Sequence, residues 1–116
     1  MWPGQQMRRF NGKSIRCLGG TYRLSFVPLR TDPNLNGENS GLTDLLMRFI
    51  KVISDAPADQ QKDVLLHEIV HIADYETGAP SDRVDEVTIT RIAKGLFAIF
   101  RDNPGLAEWI AGEEDE

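Results

Sequence analysis

The first part of the chain alternates hydrophobic and polar side chains, a period of two that is typical of half-buried β-strands. The alternation is clearest in residues 21–27, in which apolar and polar positions take turns: Tyr22, Leu24 and Phe26 against Arg23 and Ser25. Residues 14–18 predict a shorter strand that is joined to residues 21–27 by a turn at Gly19-Gly20. We therefore expect a β-hairpin that ends at Pro28.

A third strand is predicted after a long loop. Residues 30–41 are rich in Asp, Asn, Gly and Pro, which favours a surface loop. Residues 47–53 alternate more weakly, but three β-branched residues near their end favour a strand over a short helix: Ile50, Val52 and Ile53.

The second half of the chain repeats its apolar residues at three- and four-residue spacing, which predicts amphipathic helices. A first helix is expected from about Pro57 to Thr77, with Ser54 or Asp55 as its N-cap and Gly78 as its stop. Its expected core-facing residues are Leu65, Leu66, Ile69, Ile72 and Ala73.

Two further helices are predicted downstream. The second begins at an N-cap formed by Ser81 or Asp82 and runs to about Arg101, and a short third helix covers residues 104–111. We expect the second helix to bury Val84, Val87, Ile92, Leu96, Ile99 and Phe100, and the third to bury Leu106, Trp109 and Ile110. Strands followed by helices indicate the α+β class, with an antiparallel or mixed sheet of about three strands packed on two long helices.

Length and composition narrow the class of protein. The 116 residues suit a single domain, residues 1–116, with flexible tails expected at residues 1–7 and 112–116. Charged residues make up 27% and the net charge is −5 without a basic patch, so we expect no nucleic-acid partner. No apolar stretch approaches the roughly 18 residues that cross a bilayer, and no signal peptide is recognisable. The lone Cys17 allows no internal disulfide, which favours a cytoplasmic protein.

The two histidines of the chain belong to one motif, His67-Glu68-Ile69-Val70-His71. At 100° per residue, His67 and His71 lie one helical turn apart on the same face, so both imidazoles can reach one metal ion. Glu68 lies beside that face, where it can act on a water molecule at the metal. Four polar residues share the side away from the core: Asp63, His67, His71 and Asp74. The alternative is a pair of surface histidines on an amphipathic helix.

A catalytic zinc ion needs a third protein ligand, and the chain has no third histidine. We expect a carboxylate from the start of the second helix, with Glu86 as the first choice and Asp85 and Asp82 behind it. Acidic residues also occur there simply because they favour the helix dipole, an explanation that suits Asp82 and Asp85 better than Glu86, which lies deeper in the predicted helix. Cys17 is expected to be a buried, inert thiol.

Asp74 follows His71 by three residues and shares its helix face. It is a second possible ligand, although a third ligand from one straight helix strains tetrahedral geometry. We therefore prefer a role as hydrogen-bond acceptor for a ligand histidine or for a residue lining the site, and an exposed aspartate without a role is the alternative.

The stretch 64–74 resembles the small gluzincin-like metallopeptidases, in particular the ImmA/IrrE-like group of bacterial and phage proteins. The resemblance also includes residues 85–87, 92–96 and 101–104, and it covers about half the chain, residues 61–109. It implies a zincin-like α+β fold, one Zn²⁺ ion held by His67, His71 and Glu86, and Glu68 as general base. The gap between His71 and Glu86 is shorter than in larger gluzincins.

The residue that would stabilise the transition state is not evident from the sequence. Tyr75 and Arg83 are candidates, with Tyr22 and Arg91 as further ones.

The expected function is zinc-dependent hydrolysis of peptide bonds in a protein or peptide substrate. An extended substrate could pair with residues 47–54 if these form an exposed edge strand, whereas an ordinary core strand is the alternative. Two other functions stay open: a non-catalytic protein with a structural metal that binds a partner protein, and a hydrolase of non-peptide amides.

Overall fold

The computed structural model describes residues 12–28 and 40–112. Its first elements are strands β1 (Ser14–Cys17) and β2 (Gly20–Val27), which pair antiparallel with Ser14 opposite Arg23. The hairpin is as predicted, but its turn lies at Leu18-Gly19 rather than at Gly19-Gly20, so β1 ends one residue early and β2 begins at Gly20. Leu18 has a φ of 55°, a left-handed conformation that belongs to the turn rather than to a strand.

Strands β3 (Gly41–Asp44) and β4 (Phe49–Ile53) complete a mixed sheet in the order β1-β2-β4-β3. β4 is parallel to β2 and antiparallel to β3. The sheet thus has four strands where about three were predicted. The sequence of β3, Gly-Leu-Thr-Asp, has no clear alternation and begins with a poor strand former, so its pairing with β4 determines its conformation.

The position of β4 answers the question left open for residues 47–54. β4 lies between β2 and β3, and its Ile50 and Val52 are fully buried. It is therefore a core strand, so of the two alternatives the core strand is confirmed and the exposed edge strand is wrong. Among the described strands, the two edges are β1 and β3.

Helix α1 (Ala58–Thr77) packs on this sheet. Its Ile72 joins the core formed by four fully buried residues of the sheet: Tyr22, Leu24, Ile50 and Val52. Val64 and Leu65 pack against the same core. Ala73, predicted to face the core, is exposed because the sheet covers only a narrow stripe of the helix.

The start of α1 differs from the prediction. Pro57 occupies the N-cap position and no side chain caps the helix, so Ser54 and Asp55 do not have the predicted role. The buried Gln61 instead donates hydrogen bonds from its side-chain amide to the carbonyls of Ala56, at 2.7 Å, and Ser54, at 3.3 Å. At the other end, the N–H of Gly78 bonds to the carbonyl of Asp74 and closes the helix as predicted.

A short 3₁₀ turn (Pro80–Asp82) leads into helix α2 (Glu86–Asp102), which packs against α1. Asp85 is the N-cap of α2, and its side chain accepts a hydrogen bond of 2.8 Å from the N–H of Thr88. The predicted caps Ser81 and Asp82 are therefore wrong: both lie in the 3₁₀ turn, and the proline there starts a separate turn.

The predicted apolar faces of the last two helices are partly wrong. In α2, Ile89 and Ala93 are the buried residues, Leu96 and Phe100 are half-buried, and three predicted core residues are exposed: Val87, Ile92 and Ile99. Val84, also predicted to be buried, precedes the helix and is exposed. Helix α3 (Leu106–Ile110) half-buries Leu106 but leaves Trp109 and Ile110 exposed. Because α2 packs mainly on another helix, only one narrow stripe of it is covered.

The described residues thus form an α+β structure with three α-helices after four strands. None of these helices is both long and apolar enough to cross a membrane.

Candidate metal centre

His67 and His71 lie one turn apart on the face of α1 that borders the cleft between β3 and α2. Their ring centroids are 4.9 Å apart and the ring planes meet at 67°. Both side chains are partly covered, with 22% and 30% of their surface exposed. The two imidazoles therefore open into the same cleft, as the spacing of the motif predicts.

Glu86, the first residue of α2, brings a carboxylate between the two rings. Its Oε1 lies 2.5 Å from Nε2 of His67 and its Oε2 lies 2.9 Å from Nε2 of His71. The three residues offer ligand atoms that all lie within 4.8 Å of one another. His67, His71 and Glu86 thus lie close enough to hold one metal ion, and two imidazoles with one carboxylate are a donor set that suits zinc.

The short connection between α1 and α2 makes this convergence possible. The sequence predicted that Glu86 lies deep in the second helix, whereas Glu86 occupies the first position of α2. Its place in the helix therefore does not distinguish it from an ordinary acidic residue near a helix N-terminus. The distinguishing observation is that its two oxygens face two different histidines.

Glu68 lies in the same cleft, beside His67 and under the edge strand β3. Only 8% of the residue is exposed, and its Oε1 accepts a hydrogen bond of 2.6 Å from the hydroxyl of Thr43. A carboxylate in this position has one oxygen held by a donor and can use the other as a proton acceptor.

Gly41 allows β3 to approach α1 this closely. A Cβ atom at this position would lie 2.5 Å from Cγ1 of Val64 and 3.1 Å from Oε2 of Glu68. The first of these distances is far below van der Waals contact, so any side chain here would push β3 away from Glu68.

The three donors and Glu68 line one cleft of about 810 Å³, whose walls are β3, α1 and α2. Asp63, predicted on the polar face of the helix, also lines it and accepts a 2.9 Å hydrogen bond from Nζ of Lys94 on α2.

No family model, curated protein or solved structure matches the chain. The resemblance to gluzincin-like peptidases therefore stays a prediction that depends on the histidine motif and on the residues that follow it. The function has to be argued from the side chains of the cleft.

Asp74 lines the cleft but does not join the three possible ligands. Its Oδ2 accepts a hydrogen bond from the N–H of Val84, at 3.4 Å. Its partner is thus the backbone two residues before Glu86, which agrees with a hydrogen-bonding role rather than with ligation.

Asp82 and Asp85, the other carboxylates considered as ligands, also stay outside the group of possible ligands among the described residues. Asp82 is exposed in the 3₁₀ turn. Asp85 caps α2, and the hydrogen bond from Thr88 lowers the pKa of its carboxyl.

The guanidinium of Arg83 binds backbone carbonyls at the end of α1. Its Nη1 donates to the carbonyls of Asp74, at 2.8 Å, and Gly78, at 3.3 Å, and its Nη2 donates to the carbonyl of Tyr75. The guanidinium also lies over the ring of Tyr75, 5.0 Å from its centroid. Arg83 therefore binds carbonyls at the C-terminal end of α1, where the carbonyl of Asp74 also accepts from the N–H of Gly78, and this use competes with the predicted role at a transition state.

Of the other candidates for stabilising the transition state, some line the cleft and some lie elsewhere in the fold. Tyr75 lines the cleft, as Arg83 also does. Tyr22 is fully buried in the core and its hydroxyl donates to Glu76, so it cannot reach the cleft. Arg91 is exposed on α2 and does not line the cleft.

Cys17 is half-buried in β1. Burial, followed by the charge of Glu76, raises the pKa of its thiol, as expected for an inert cysteine.

Sequence reasoning missed Thr43 and Gly41. Neither residue type indicates a site by itself, and β3 was not predicted. The available signal was indirect: a glycine at the end of a loop is often required where two backbones or a backbone and a helix approach closely.

Proposed function

We propose that this protein is a zinc-dependent metallopeptidase of gluzincin-like type, in which His67, His71 and Glu86 hold one Zn²⁺ ion and Glu68 is the general base. One observation carries the proposal. His67 and His71 of α1 and Glu86 of α2 bring three possible metal ligands together, and the buried carboxylate of Glu68, which is not part of this group, lies beside them. Structural zinc sites have four protein ligands, whereas catalytic sites have three and an open position.

The donor set supports a single divalent ion. Nε2 of each histidine faces Glu86, so both rings present the same nitrogen to one point. Asp74, which would close the site as a fourth ligand, bonds instead to the N–H of Val84. This arrangement favours a catalytic metal site over a purely structural metal site in a binding protein.

Glu68 and the three metal ligands have separate roles in the proposed reaction. A bound zinc ion supplies Lewis acidity at the carbonyl oxygen and lowers the pKa of water at the site. Glu68 takes one proton from the attacking water while its oxygen forms the new bond to the carbonyl carbon. When the C–N bond breaks, Glu68 returns that proton to the leaving amine nitrogen, so that protons balance and the carboxylate is regenerated.

The edge strand β3 is the proposed place for an extended substrate. The N–H of Ile53 donates to the carbonyl of Ser40, so Ser40 belongs to the bonded positions of the antiparallel pair. By alternation, the backbone groups of Gly41 and Thr43 point away from β4, to the side of β3 that no described strand pairs with, next to Glu68. A peptide added there would lie alongside the site, which residues 47–54 cannot offer because β4 is covered on both sides.

The proposal is tested with the purified wild-type protein beside Glu68→Gln and, as a matched control on the same helix, Glu76→Gln. We expect about one zinc per chain in all three by elemental analysis. Hydrolysis of unstructured protein substrates and a peptide library, followed by mass spectrometry, is expected in the wild type and in Glu76→Gln and at least about 100-fold slower in Glu68→Gln. Undiminished hydrolysis in Glu68→Gln would refute the mechanism. Zinc without any hydrolysis by the wild type would favour a binding protein with a structural metal, and cleavage of simple amides alone would favour a non-peptide substrate.

The proposed partner is thus a protein or peptide substrate, and the proposed compartment is the cytoplasm. Neither a nucleic acid nor a membrane is needed by the chemistry of the cleft.

A further inference from the structure

The hydroxyl of Thr43 donates a hydrogen bond to the carboxylate of Glu68. Thr43 Oγ1 lies 2.6 Å from Glu68 Oε1, and a carboxylate accepts, so the hydroxyl is the donor. The bond joins an edge strand to a helix across a sequence separation of 25 residues.

Thr43 is held in place by the pairing of β3 with β4 and by the close approach of β3 to α1. Thr43 pairs with Ile50, which is fully buried in the central strand β4. Side chains two residues apart lie on the same face of a strand, so Gly41 and Thr43 both face α1. A Cβ atom at Gly41 would lie 2.5 Å from Val64 and 3.1 Å from Glu68, so the backbone of β3 lies close against α1 at this point.

The side chain of threonine adds to this rigidity, since a β-branched residue has few χ1 rotamers in a strand. The bond holds Oε1 of Glu68 and leaves Oε2 for proton transfer. A general base acts only within hydrogen-bond distance of the proton it takes, and an error of about 1 Å in its position can cost about 100-fold in rate.

We propose that Thr43 is a positioning residue for Glu68 and that it links the edge of β3, where an extended peptide would pair, to the orientation of the base. This inference rests on the proposed peptidase function. Its distinctive consequence is that loss of the hydroxyl lowers kcat, whereas zinc affinity and KM stay close to those of the wild type.

The test compares Thr43→Val, which keeps the shape and removes the hydroxyl, with Thr43→Ser, which keeps the hydroxyl. For Thr43→Val we expect kcat to fall at least about 10-fold, with KM and the zinc affinity, measured by competition with a chromophoric chelator, within about threefold of the wild type. Thr43→Ser is expected to retain kcat within about threefold. An unchanged kcat in Thr43→Val, an equal loss in Thr43→Ser, or a loss of zinc affinity that accounts for the loss of rate would overturn the proposal.

A second measurement does not depend on activity. In the metal-free protein labelled with ¹³C at glutamate carboxyl carbons, the resonance of Glu68 is assigned by its disappearance in Glu68→Gln. We expect it to shift in Thr43→Val and to stay in place in Thr43→Ser; no shift in Thr43→Val would overturn the proposal. If the wild type hydrolyses nothing, the peptidase function fails, and a shift in Thr43→Val would then show that the bond is only structural. If the wild type is active and Thr43→Val equals it, only the positioning role fails.

Discussion

The carboxylate of Glu86 lies 2.5 Å from Nε2 of His67, a contact that joins the first turn of one helix to the middle of another. The two residues are brought together by a short turn after α1 and by the aspartate cap that starts α2 at Glu86. The geometry of the candidate metal centre therefore depends on where the turn after α1 ends and where α2 begins.

Removal of the Glu86 carboxylate should weaken metal binding strongly. Glu86→Ala leaves two histidine ligands on one helix, and we expect zinc affinity to fall by more than about 100-fold, since changes even outside the ligands cost 10- to 100-fold. Competition with a chromophoric chelator measures it. Asp82→Asn, a nearby exposed carboxylate outside the group, serves as the control and should bind as the wild type does. Equal affinity in Glu86→Ala and Asp82→Asn would disprove the ligand assignment.

Metal removal should lower the melting temperature. A ligand that binds only the folded state, at 100 times its Kd, stabilises it by about 2.7 kcal/mol. For a domain of this length we expect a difference of roughly 10 °C between the zinc-loaded and the chelator-treated protein in a calorimetric scan. His71→Ala should melt at the same temperature with and without zinc. A wild-type melt that does not respond to zinc would argue against a site formed by the fold.

The sequence predicted the parts of the site that depend on local periodicity. The spacing of His67 and His71 determines their relative direction on any α-helix, and Gly78 and Pro80 mark the end of that helix. The absence of a third histidine directed attention to a carboxylate, and the structure brings Glu86 to both rings.

The parts that depend on distant contacts were missed or wrong. β3 forms because it pairs with β4 and packs on α1, and neither contact is encoded in its four residues. The buried stripe of α2 is set by its contact with α1, which buries Ile89 and Ala93 and leaves the apolar Val87 in solvent. Arg83 could not be recognised as a capping residue before the turn that returns it to α1 was known.

Arg83→Ala should destabilise the fold around the centre rather than slow the chemistry directly. Its guanidinium donates to carbonyls of Asp74, Tyr75 and Gly78, and loss of these exposed bonds is expected to cost about 1 kcal/mol in the free energy of unfolding. Chemical denaturation measures this cost, with Arg91→Ala, an exposed arginine on α2, as the control. If Arg83→Ala instead keeps full stability and zinc affinity but loses kcat, the arginine acts at the transition state.

Tyr22→Phe should remove a pH-dependent contribution to stability. Burial, together with the hydrogen bond to Glu76, raises the pKa of the Tyr22 phenol above its usual value near 10. The neutral phenol is thus favoured in the folded state, so its contribution is complete below the pKa of the unfolded state and is lost as the pH rises through the folded pKa. We expect Tyr22→Phe to be about 1 kcal/mol less stable at pH 7, a difference that shrinks in alkaline solution. Denaturation between pH 7 and 11 checks this, with Tyr75→Phe, at an exposed tyrosine, as the control; a difference that is constant with pH would contradict it.

Gly41→Ala should disturb both the sheet edge and the base. The new methyl group would lie 2.5 Å from Val64, so β3 or α1 must move, and we expect a loss of about 1–3 kcal/mol in the free energy of unfolding. Gly95→Ala is the matched control, because its Cβ would meet nothing within 4 Å in the middle of α2 and should stabilise that helix by about 0.5–1 kcal/mol. Zinc affinity should change little in either variant, since neither glycine contacts a ligand, whereas the displaced β3 should separate Thr43 from Glu68 and lower kcat in Gly41→Ala alone. Equal stability and equal kcat in the two variants would mean that β3 does not approach α1 as closely as the contact with Val64 requires.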